Sequence, residues 1–115
     1  MTIIKSSPNL SPVDIYKLTM NPKTEKMQNH KGERLEIAAW ALYEDVNQKS
    51  GELHEILSIK TAEGETFATN SPTFKRDFFS MMELFESMGA TVPAIVIDSG
   101  CSNAGREFIT CVYSD

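Results

Sequence analysis

The chain has 115 residues, 41% hydrophobic and 23% charged, with a formal net charge of −5. That length holds one modest core, and that composition excludes wholesale disorder and, with no apolar run near the roughly 18 residues of a span, a membrane helix. An acidic total argues against a coat for duplex DNA held by bulk charge, although it leaves room for a basic groove.

Residues 1–12 are rich in Ser, Pro and Asn and read as a flexible N-terminal segment ahead of a single domain over 13–115. Their apolar stretch is too short for a secretory leader, so a cytoplasm with reduced thiols is the expected setting. VDIYKLTM, from residue 13, alternates enough for a short strand with Val13, Ile15 and Leu18 on one side. NPKTEKMQNHKGE, residues 21–33, is polar and basic without apolar periodicity, a long loop of the functional or unstructured kind.

RLEIAAWALYEDV, residues 34–46, suits a strand better than a helix. Alternation puts Leu35, Ile37, Ala39, Ala41 and Tyr43 on one face and Trp40 on the other. The turn NQKSGE joins it to LHEILSIKT as a hairpin, and the turn AEGE leads to a third short strand, TFATN. The period then changes. SPTFKRDFFSMMELFESMG predicts the one strong helix, capped by Ser71, with Pro72 in the first position and Gly89 at its end. Phe74, Phe78, Met81, Phe85 and Met88 form its apolar stripe, which reads as a core-covering face. TVPAIVIDS and REFITCVY follow as two strands.

Between those last strands lies GCSNAGRE, whose glycines at 100 and 105 have the spacing of a phosphate-cradling loop. Such a loop works because a helix begins at its end. Here the ten residues after Gly105 are β-branched and aromatic, and Glu107 stands where a hydroxyl should hold magnesium. A hairpin turn, with Asn103 and Gly105 supplying the unusual backbone angles, is the better reading. Nor do Cys101, Cys111, His30 and His54 have the spacing of a nucleophilic pair or a zinc site. No catalytic role, metal or cofactor is expected.

Three meandering strands, a helix and a final hairpin make the chain order of the five-stranded OB-fold barrel, mainly β with one helix, here with an extra N-terminal strand. The pieces EGE before FAT, the helix start SPTF and a small-residue turn before an aromatic strand carry a further likeness. Over about residues 30–113 the chain resembles the small single-stranded DNA-binding proteins encoded by phages of Gram-positive bacteria. The resemblance implies a non-catalytic, sequence-tolerant protein of phage DNA replication or recombination, with single-stranded DNA and replication proteins as partners. Better-known bacterial binders resemble a barrel followed by a long acidic tail. This chain stops at CVYSD, so recruitment through a tail is not carried over, and the oligomeric state stays open.

Sequence-tolerant binding combines aromatic faces for stacking with a basic lane for the backbone. Trp40, Tyr43, Phe67 and Phe108 are the candidate stacking residues, and Trp40, Tyr43 and Phe108 are also core candidates. Lys49, Lys60 and Arg106 sit at hairpin ends, while Lys23, Lys26 and Lys31 lie in the polar stretch. Residues 1–34 carry six basic side chains against three acidic ones, and the remainder has a balance of −8. That asymmetry supports a second reading, a small acidic phage protein that binds or inhibits a host or defence protein. An OB-type binder of RNA or oligosaccharide is a third.

Overall fold

The computed structural model describes residues 1–46 and 49–115. It is mainly β, with seven strands and two α-helices, rather than one, among those residues. Of the turn expected at NQKSGE, residues 47 and 48 lie outside the described part. The chain gathers into two compact units, Met1–Glu25 with Ala38–Asn70, and Lys26–Ile37 with Ser71–Asp115.

In the first unit, β1 (Thr2–Ser6) pairs antiparallel with the later part of β3 (Arg34–Val46), from Thr2↔Glu44 to Ser6↔Ala41. β4 (Leu53–Thr61) lies on the other side of β3, and β5 (Thr66–Thr69) extends the sheet. The expected flexible segment 1–12 therefore contains a paired strand. Its ladder is continued by Ser7, whose N–H donates to the Trp40 carbonyl at 3.0 Å. Asn9 then takes a left-handed backbone, φ 62°, and turns the chain back over the sheet.

Residues 13–20 are not the strand that alternation suggests. Pro12–Thr19 is helix α1. Ser11 Oγ accepts from the Asp14 N–H at 3.1 Å, and the Asp14 carboxylate accepts from the Ser11 N–H at 3.1 Å. This reciprocal cap, with Pro12 in the first position, satisfies two donors that a helix start otherwise leaves open. Leu18 packs with Ala39 and Ala41, joined by Leu10. Lys60 Nζ of β4 donates to Asp14 Oδ1 at 2.8 Å. The small side chains of β3 thus lie where the helix lands.

Alternation then puts Trp40 and Leu42 on the opposite face, the one that carries Leu57, Ile59 and Phe67, all buried. Both faces of β3 are therefore covered here: Trp40 points into the interior, and Ala39 and Ala41, on the face expected to be apolar, lie beneath α1.

In the second unit, Arg34–Glu36 at the start of β3 pair antiparallel with β6 (Ala94–Cys101), through Arg34↔Val96 and Glu36↔Ala94. β6 in turn pairs with β7 (Glu107–Ser114), from Ala94↔Ser114 to Cys101↔Glu107. Helix α2 (Pro72–Ser87) begins as its sequence predicts. Ser71 Oγ accepts from the Phe74 N–H at 3.3 Å, and Gly89 takes φ +71° just past the end. Phe74 and Phe78 are fully buried, and Phe85 stacks on Tyr113 of β7 with centroids 5.2 Å apart.

Burial of the apolar stripe of α2 fades along its length, from Phe74 and Phe78, fully buried, through Met81 and Phe85, half-buried, to Met88. Leu84 and Met88, near its end, are 57% and 77% exposed. The polar stretch 21–33 also has more structure than its composition suggests. It holds a two-residue strand, β2 (Glu25–Lys26), and a 3-10 turn, Met27–Asn29, whose Met27 is fully buried. No helix among the described residues is long and apolar enough to cross a membrane.

Candidate nucleic-acid interface

The stretch GCSNAGRE forms the tip of the β6–β7 hairpin. The Gly105 N–H donates to the Ser102 carbonyl at 2.9 Å, and the Ser102 N–H donates to the Arg106 carbonyl at 2.9 Å. Gly105, at φ +79°, supplies the left-handed residue that lets a tight turn re-enter the ladder. Asn103 does not share that role, since its φ is negative. A strand, not a helix, follows the second glycine, so no row of free N–H groups faces a phosphate here.

The hairpin gathers three of the expected binding residues within the second unit. Phe108 lies directly across from Gly100, and a Cβ placed on Gly100 would come within 2.6 Å of the Phe108 ring. Glycine there lets the half-buried ring lie against the neighbouring strand. Next to it, Glu107 accepts a 2.6 Å hydrogen bond from Lys31 Nζ. That bond, and then the lysine's charge, hold the Glu107 carboxyl below the usual carboxylate range. Arg106, exposed at the turn, completes a tip with two cations, one carboxylate and one ring.

Lys26, also in the second unit, is exposed on β2. In the first unit, Lys23 and Lys49 are exposed, whereas Lys60 is 20% exposed and held by Asp14. Trp40 (9% exposed), Tyr43 and Phe67 are interior residues. Burial, and secondarily the charge of Asp45, push the Tyr43 hydroxyl's pKa up. A stacking role for these three rings is therefore corrected: none presents a face to a base in this structure. Replacing Trp40 with Ala would empty the interior, not probe a surface.

Two participants escaped the sequence reading. Gly100 could have been found by counting the hairpin back from its turn, which pairs 101 with 107 and 100 with 108. Asp14 was signalled by S-P-V-D, the same cap-and-proline pattern that marks α2. Among the described residues, no three His, Cys, Asp or Glu side chains converge in a way that could hold a metal. Cys111 is buried, and burial, with Asp77 nearby, pushes its thiol up to about 12. No family model, curated protein or solved structure matches the chain.

Proposed function

We propose that this chain is an OB-fold protein that coats single-stranded DNA without catalysis, in phage replication or recombination as its resemblance implies. Strand order supports the fold. The long β3 belongs to a meander with β4 and β5 in one unit and to the sheet of β6 and β7 in the other, with α2 between β5 and β6 in the chain. The observation that carries the function is the hairpin tip, where the half-buried Phe108 ring lies against Gly100 and the neighbouring residues supply Arg106 and the Lys31–Glu107 pair. A base stacked on that ring gains roughly 1–3 kcal/mol, and the two cations follow the backbone. The expected partners are the DNA strand and other replication proteins.

The test is anisotropy of labelled oligo-dT of about thirty nucleotides at several salt concentrations, beside duplex DNA and RNA of equal length. Tight, salt-sensitive binding to the single strand, weakened by Arg106→Ala and by Phe108→Leu, supports the reading. No binding at low salt removes it.

A second reading rests on α2. Leu84 and Met88 are exposed beside Glu83 and Glu86, a surface suited to a basic patch on a host or defence protein. Salt-sensitive binding to a DNA enzyme, with no affinity for DNA, selects this alternative.

A further inference from the structure

We propose that α1 is a displaceable cover on the first unit, concealing a row of polar side chains on β4 that receives the phosphates of a bound single strand. The proposal rests on the single-stranded DNA reading and adds to it a second contact surface and its control.

Three observations carry it. First, the face beneath the helix is chemically unfinished. His54, Ile56, Ser58 and Lys60 alternate onto one face of β4, and Lys60 is the residue that α1 contacts. Ser58 is fully buried, and its Oγ has no hydrogen-bond partner among the described residues. The same holds for Nε2 of His54, four residues earlier in the row. Buried polar atoms are ordinarily paired, and these two share the face of β4 on which Lys60 meets α1.

Second, the helix is lightly held. It has only eight residues, too few to persist in water without docking. Leu18 is its one fully buried side chain, while Val13, Tyr16 and Met20 are 50% to 60% exposed. Its polar attachments are Lys60 to Asp14 and, just past its end, Asn21 and Thr24 to the Thr66 hydroxyl at 3.3 and 2.9 Å.

Third, the group on Lys60 is an oxyanion. The Asp14 carboxylate occupies the position on the ammonium that a phosphate oxygen would take. A strand entering this face exchanges one anion for another, and the Ser58 hydroxyl gains an acceptor. With no aromatic ring in the row, recognition is of the backbone and therefore indifferent to sequence.

The experiment uses the full chain and three variants, Asp14→Asn, Ser11→Ala and Lys60→Gln. Each is titrated into labelled oligo-dT, with hydrogen exchange of residues 12–19 followed with and without the oligonucleotide. Asp14→Asn removes the competing charge and weakens the cap, so it should bind about fivefold tighter than the parent. Ser11→Ala weakens the cap alone and should shift affinity the same way by less. Lys60→Gln should bind about fivefold more weakly. Oligo-dT should speed exchange in α1 while β4 stays protected. Unchanged affinity in Asp14→Asn and Ser11→Ala, with α1 equally or better protected on DNA, would overturn the cover and leave the DNA reading intact. Failure of every form to bind would remove the DNA reading, and the cover with it.

Discussion

The two helices begin alike and end differently. Each opens on Ser-Pro, with the serine hydroxyl accepting from the third N–H beyond it and the proline in the first helical position. α2 then runs sixteen residues and seats Phe74 and Phe78 in the interior of its unit, whereas α1 runs eight and seats Leu18. A cap decides where a helix starts; the buried stripe that follows decides how firmly it stays. On that view α2 is part of the folded frame of its unit, and α1 is an attachment to its own.

Four measurements would break or sharpen that contrast, taken from the largest effect. Phe78→Ala should cost about 3–5 kcal/mol in urea unfolding, because a fully buried ring is replaced by a cavity. Leu18→Ala should cost about 2 kcal/mol, with faster hydrogen exchange confined to residues 12–19. If instead it loosened the whole chain, α1 would belong to the frame. Ser71→Ala and Ser11→Ala should each weaken their helix by about 1 kcal/mol. In a thermal melt the first should lower the global transition, and the second should be visible only in local exchange.

The smallest effect separates the helices by acid. The Lys60 hydrogen bond, then those from Ser11, hold the Asp14 pKa at about 2 instead of 3.8. A carboxyl lowered on folding stabilises above its unfolded value and loses that contribution as pH falls through the folded one. α1 should therefore keep its full attachment above pH 3.8 and loosen as the pH approaches 2. α2 has no acidic residue in its first turn and no corresponding loss there. Exchange of residues 12–19 against 72–87, from about pH 5 down to about pH 2, reads the difference directly.

Much of the frame was legible in the sequence. RLEIAAWALYEDV and LHEILSIKT became strands with the bounds their patterns suggest, and α2 announced both ends. α1 is ambiguous by pattern because eight residues satisfy either period, and the Ser-Pro-Val-Asp cap, not the alternation of VDIYKLTM, decides it. That both faces of β3 are covered was not legible. Ala39 to Tyr43 are buried without a break, so alternation carries no sign of which face is inner. Met27 shows a different limit: a single apolar residue in a polar stretch has no period, yet it is fully buried. Of the candidate site, the hairpin tip was foreseeable from its turn chemistry and the burial of Trp40 and Tyr43 was one of two readings their strand allowed; the burial of Phe67 was not foreseen.

The two cysteines differ in a way that gives the molecule a practical handle. Cys111 is buried, with its thiol pushed up to about 12, and so supplies almost no thiolate at neutral pH. Cys101 is exposed at the last position of β6, beside the hairpin turn. A maleimide dye should therefore attach at one position only, within a few residues of Phe108 and Arg106. For the same reason, air oxidation should join two chains tip to tip through Cys101, blocking in both copies the surface proposed to meet DNA.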